Sequence, residues 1–148
     1  MSRHTHYQGA IIQNHHILLI KHLEHKTGRS YWIFPGGGIE SDETEEECVR
    51  REMKEETNLD IRVLSVLVDQ PSYPGDVYHQ LKTYHCEPFE GKARPGFEPE
   101  PEAVSQYGIV AAQWFDLRSE TDWDLLLVND PLTYLPLQRV RRKLGYLY

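Results

Sequence analysis

Residues 31–59 constrain this chain more than any other stretch, because a short apolar run meets a proline, three glycines and then a heavily charged segment. Tyr31-Trp32-Ile33-Phe34 has the aromatic and β-branched content of a strand, and Pro35 ends its pairing. Gly36, Gly37 and Gly38 follow, where the missing Cβ permits a close approach of backbone to whatever comes next. What comes next is a helix. Thr44 with Glu47 three residues on makes a capping-box pattern, and Glu45, Glu46 and Glu47 suit the positive end of the helix dipole. Cys48, Val49, Met53 and Leu59 supply one apolar face, and Asn58 suits a left-handed stop.

The flanking sequence predicts a sheet for that helix to pack on. Residues 7–13 and 17–22 read as a hairpin turning at Asn14-His15-His16. Residues 61–68, 77–86 and 108–117 read as further strands, and residues 131–144 as a terminal helix with a basic end. The segment 87–107 between them is rich in Pro, Gly and Glu, and a loop of that length is more often functional than idle. Strands and two helices interleave, so the expected class is α/β, an α/β/α sandwich on a mixed sheet. A length of 148 residues fits a single domain spanning 1–148 with its own core. Cys48 and Cys86 are too few for a disulfide framework, no apolar run has the length of a membrane span, and the N-terminus lacks an apolar leader. The expected location is the cytoplasm, with no membrane partner.

A formal charge of −7 argues against a generic nucleic-acid binder, so nucleic acid is not an expected partner. A small phosphate-bearing substrate fits if cations stand between it and the carboxylates. Nine of the 23 acidic residues lie between Glu40 and Glu56. Glu52, Glu55 and Glu56 fall at i, i+3 and i+4, so their like charges repel, and two of them sit where the dipole disfavours anions. The bland reading is a solvated acidic face relieved by Arg50, Arg51 and Lys54. The glycine trio weighs against it, since glycine carbonyls beside a carboxylate cluster offer a hard cation such as Mg²⁺ or Mn²⁺ an oxygen-only shell.

From Gly37 the chain reads GGIESDETEEECVRREMKEETNL. This resembles the box of the Nudix (MutT-like) family, with Gly37, Glu43, Arg51, Glu52, Met53, Glu55, Glu56 and Leu59 on its fixed positions. Asn58 stands where the family has glycine, a substitution the left-handed conformation tolerates. Trp32-Ile33-Phe34-Pro35-Gly36-Gly37 and Gln113-Trp114-Phe115-Asp116-Leu117 resemble its flanking segments. The resemblance implies a Nudix-type fold and a hydrolase in which metal-activated water attacks a diphosphate linkage. It implies that Glu52, Glu55 and Glu56 ligate Mg²⁺ or Mn²⁺, with Glu52 also a candidate base. Glu43 and Arg51 would form a buried ion pair, and a glycine carbonyl, best placed at Gly38, would coordinate. One further carboxylate would come from the distant loop: Glu98, with Glu100 and Glu102 as alternatives. The substrate would be a small nucleotide-type molecule: a nucleoside triphosphate, ADP-ribose, a dinucleoside polyphosphate or a nucleotide sugar. The alternative is a non-catalytic nucleotide-binding regulatory module on the same fold, against which the intact cluster argues. Oligomeric state is open, a homodimer included.

Other features carry blander readings. The histidines at 4, 6, 15, 16, 22 and 25 match no metal-ligand spacing and read as exposed strand and loop residues. Tyr73-Pro74-Gly75 reads as a β-turn. Arg139, Arg141, Arg142 and Lys143 complement a helix C-terminus. Cys48 reads as a small core residue, and Tyr31 and Trp32 as core or base-stacking rings.

Overall fold

A computed structural model describes residues 4–96 and 107–147. β1 (Thr5–Gln13) and β2 (His16–Glu24) form the expected hairpin, with Ile12 opposite Ile17 and Gln13 opposite His16. Asn14 and His15 have φ of 50° and 64°, the left-handed pair of a two-residue turn whose twist matches the strands it joins. The two strands then diverge. β2 pairs antiparallel with β3 (Ser30–Ile33) along one edge and with β7 (Tyr107–Asp116) along the other. β1 pairs in parallel with β6 (Gln80–Glu90), which pairs antiparallel with β5 (Asp60–Pro71). The other edge of β1 takes β4, the two residues Gly36–Gly37, in the register Tyr7–Gly37 and Gln8–Gly36. The sheet is therefore mixed.

Helices cover both faces. α1 (Glu45–Thr57) buries Cys48, Val49 and Met53 against Tyr7, Ile11, Leu18, Ile61 and Cys86. Gly9 makes room for it, since a Cβ there would sit 2.5 Å from Met53 Sδ. On the opposite face α3 (Pro131–Lys143) buries Leu137 and Val140 in a cluster with Ala10, Ile17, Leu19, Phe115 and Trp123. β1 and β2 thus send alternate side chains into two cores, each fully buried aliphatic contributing roughly 1.5–3 kcal/mol.

The structure departs from the sequence reading at three points, the two ends of β6 and one short helix. β6 starts at Gln80 rather than at Val77, because residues 73–79 form a turn: Gly75 has φ 92°, and Ser72 N–H reaches His79 O at 2.9 Å. β6 also runs on to Glu90, absorbing the start of the expected loop, because bulges in the β5–β6 register carry pairing past Pro88. A short helix, α2 (Leu125–Val128), was not expected, although Asp124 caps it by accepting from Leu126 N–H at 3.0 Å. Among the described residues no helix is long and apolar enough to cross a membrane.

Candidate active site

Both ends of α1 are fixed as its sequence suggests. Thr44 Oγ1 accepts from Glu47 N–H at 3.1 Å while Glu47 Oε1 accepts from Thr44 N–H at 2.8 Å. Asn58 holds φ 66° and ψ 13°, its N–H reaching Lys54 O. One contact was not foreseen: Glu45 takes hydrogen bonds from Lys82 Nζ, at 2.7 Å, and from the Tyr84 hydroxyl, tying the first turn to β6.

The acidic residues of the helix divide sharply by burial. Glu46, Glu47, Arg50 and Lys54 are exposed, as the solvated-face reading predicts. Glu52 and Glu56 are each only 2% exposed, which that reading does not allow. Their burial depends on β4. Gly36 N–H donates to Glu56 Oε1 at 2.7 Å, and a Cβ on Gly37 would lie 2.6 Å from the Glu52 carboxyl carbon. The glycines thus supply a donor and the space for two anions. Glu55 is half-buried beside them.

Arg51 is the centre of the cluster. Its Nε and Nη2 meet Glu43 at 2.6 and 2.9 Å, a bidentate pair. Its Nη1 lies 2.7 Å from Glu52, 3.3 Å from Glu55 and 3.5 Å from Glu40. The Glu43–Arg51 pair expected to be buried is only partly so, with side chains 12% and 21% exposed, because Glu43 follows directly on the exposed residues Glu40, Ser41 and Asp42. The guanidinium holds the Glu43 carboxyl below the usual carboxylate range. Glu55 moves the other way: burial raises it, Arg51 opposes the rise and Glu40 adds to it. Gly38 O, the expected metal ligand, accepts from Arg51 Nη2 at 3.1 Å, which leaves its second lone pair for any other role.

A strap after β6, invisible in the sequence reading, closes the far end of α1. Arg94 N–H reaches Thr57 O at 3.0 Å and Gly96 N–H reaches Glu56 O at 2.9 Å, satisfying carbonyls that a helix end leaves orphaned. Asn58 Nδ2 donates to Arg94 O at 3.1 Å. A Cβ on Gly96 would lie 1.9 Å from Glu55 O, so Pro95-Gly96 was the available signal of a close approach. Glu98, Glu100 and Glu102 lie outside the described residues; Gly96 precedes Glu98 by two positions.

The donor set of Glu52, Glu55 and Glu56 is all oxygen and anionic, which fits a hard divalent cation. Among the described residues no group of three or more His, Cys, Asp or Glu is already arranged to hold a metal ion, the carboxylates being spread around Arg51. Cys48 is fully buried, and burial ahead of the neighbouring glutamates pushes its thiol up to about 12, so it is a core residue and no nucleophile.

A cavity of about 570 Å³ opens on the α3 side, its walls including Gln8, His22, Tyr31, Tyr73, Tyr107 and Arg139. Gln8 is the register partner of Gly36, so the cavity wall and the carboxylate cluster meet at one strand pair. The Tyr73-Pro74-Gly75 turn forms part of the wall. Trp32 is core, its Nε1 donating to Asp124 Oδ2 at 2.9 Å. Of the basic cluster, Arg141 is buried against Glu120 at 2.7 Å, while Arg139 lines the cavity. His22 is buried, contrary to the exposed-histidine reading.

The sequence profile of the NUDIX domain matches residues 4–134. An NAD-capped RNA hydrolase, NudC, of Vibrio atlanticus (strain LGP32) is 32% identical over 114 residues, covering 76% of this chain and 37% of that protein. The chain spans about a third of the length of the curated NudC relatives it matches. A MutT Nudix hydrolase of Burkholderia pseudomallei superposes with a TM-score of 0.65 at 25% identity, covering 96% of this chain and 98% of that one. An ADP-ribose pyrophosphatase of Streptococcus suis shares the fold with a TM-score of 0.65 at 21% identity, over 97% and 92% of the two chains. With that profile match over most of its length, and the box residues gathered around one capped helix, the chain belongs to the Nudix hydrolase family.

Proposed function

We propose that this chain is a Mg²⁺-dependent pyrophosphohydrolase that cleaves a diphosphate linkage in a nucleotide-type substrate. The observation that carries the reading is the burial of Glu52 and Glu56 beside Gly36 and Gly37, Glu56 lying in the last turn where the helix dipole disfavours an anion. In this reading Glu52, Glu55 and Glu56 hold the cation, with Mn²⁺ able to replace Mg²⁺, and Gly38 O and Glu98 complete its shell. Bound there, Mg²⁺ supplies acidification of the attacking water and neutralisation of phosphate charge. Arg51 and Glu43 keep the carboxylates apart and correctly turned. Glu52, next to that guanidinium, takes the proton of the attacking water. The cavity beside Gln8 takes the nucleoside end, its volume lying within the roughly 300–1,000 Å³ of small-molecule sites.

The net charge of −7 disfavours long nucleic acid but not a nucleotide at the end of one, and relatives carry the name NAD-capped RNA hydrolase. The test is therefore a product screen with Mg²⁺, Mn²⁺ or excess EDTA over nucleoside triphosphates, ADP-ribose, NAD, diadenosine polyphosphates, nucleotide sugars and an NAD-capped oligonucleotide. Monophosphate products should form with either metal and disappear in EDTA. Full turnover in excess chelator sinks the mechanism.

A further inference from the structure

His22 has no structural account of the kind its neighbours have. It is 4% exposed, and both Nδ1 and Nε2 are buried without a hydrogen-bond partner among the described residues. Folded proteins pair almost all such atoms, so an orphaned pair calls for a reason. The ring stacks on Tyr107, centroids 4.6 Å apart at 25°, and lies 5.7 Å from the Tyr31 ring at 54°. A phenylalanine would stack equally well and carry no desolvation cost. Burial first, and His6 second, lowers the imidazole to about 4, so at neutral pH it offers one N–H donor and one lone pair. All three rings line the cavity that Gln8, Arg29 and Arg139 share.

We propose that His22 is a specificity-determining residue of this cavity, hydrogen-bonding through a ring nitrogen to the heterocyclic base of the substrate. The proposal rests on the reading of the chain as a nucleotide hydrolase and assigns the two ends of its substrate. A neutral imidazole has little to offer a phosphate that a guanidinium does not offer better, so the phosphates belong to the arginines and to α1. An uncharged planar base suits a neutral donor and acceptor held between tyrosines. Tyr31 and Tyr107, which cover the imidazole, are themselves only half-buried, so either ring can yield to a stacked base without opening a core. Reading a base by a buried polar atom is also discriminating, because a ligand lacking the complementary atom leaves that atom unpaired.

The experiment is titration calorimetry in EDTA with AMP, GMP, CMP, UMP and ribose 5-phosphate on the intact chain, His22→Phe and His22→Gln. At least one of the four nucleotides should bind about tenfold or more tighter than ribose 5-phosphate. His22→Phe should abolish that preference while melting no lower than the parent, and His22→Gln, which keeps a donor and an acceptor, should retain most of it. On any nucleotide the chain hydrolyses, His22→Phe should raise KM by about tenfold with kcat within about twofold. The proposal is overturned if the parent shows no preference over ribose 5-phosphate, if His22→Phe keeps the preference, or if His22→Phe fails to fold, since the nitrogens would then serve the fold. Binding in chelator does not depend on turnover. A screen without hydrolysis therefore removes the proposed function alone, and the calorimetry still decides the fate of His22.

Discussion

On the α1 side of the sheet four carboxylates, Glu40, Glu43, Glu52 and Glu55, surround the Arg51 guanidinium, which holds Glu43 below the usual carboxylate range and opposes the rise that burial gives Glu55. On the α3 side His22 is nearly as buried as Glu52, its ring nitrogens have no hydrogen-bond partner among the described residues, and burial keeps it neutral. Desolvation acts on both. What decides the ionisation state is whether a counter-charge lies within reach. Within one small sheet the same desolvation thus leaves a charged cluster on one face and a neutral imidazole on the other.

The largest effect should come from removing a charge on the ionic side. Glu56→Gln keeps an acceptor for Gly36 N–H but deletes an anion near the negative end of α1, so stability should hold or rise. Turnover should fall by on the order of 10²–10³ or more, because the cation loses a ligand. Parallel melting curves and rates check this, and a parental rate would mean that the helix has been misread. Arg51→Ala comes next. It leaves Glu43 and Glu52 without their cation, at a cost of roughly 3 kcal/mol given partial burial, read as a lower midpoint in urea unfolding. An unchanged midpoint would show that the hub is not structural.

The neutral side should show itself in acid. The folded-state pKa of His22, about 4, lies below its unfolded value of 6.5. As pH falls the unfolded chain takes up this proton first, so the contribution is complete above the unfolded value and drains away as pH falls toward the folded one. The parent should therefore lose about 2 kcal/mol more than His22→Phe between about pH 7 and pH 5. Equal losses would place a partner on His22. The smallest effect belongs to the junction of the helix with the strap. Asn58→Val should cost about 1–2 kcal/mol through its left-handed backbone, whereas Asn58→Gly should stay within a few tenths, relief of φ offsetting the lost bond to Arg94 O. Equal stabilities would remove that account.

The strands, the capped helix and its acidic pattern were legible because each is a local matter of period, capping and turn chemistry. Thr44, Asn58 and the Asn14-His15 turn show this directly. The pairing of Glu43 with Arg51 was legible from the box, but the reach of Arg51 to Glu40, Glu52, Glu55 and Gly38 was not, because side-chain convergence depends on where a loop folds back. The strap at Arg94 and Gly96 was missed for the same reason: its hydrogen bonds span from Thr57 to Arg94 and carry no periodic trace. His22 was misjudged because the β7 strand that covers it is remote in sequence.

The strap has a consequence for how such a chain can change. Gly96 is pinned to the end of α1 and Tyr107 is pinned to the end of β2, so the segment 97–106 begins and ends at anchors set by other parts of the molecule. Gly96 is therefore a point where backbone rather than side chain ties the chain beyond β6 to the acidic helix, and any side chain placed there would be felt at Glu55 and Glu56.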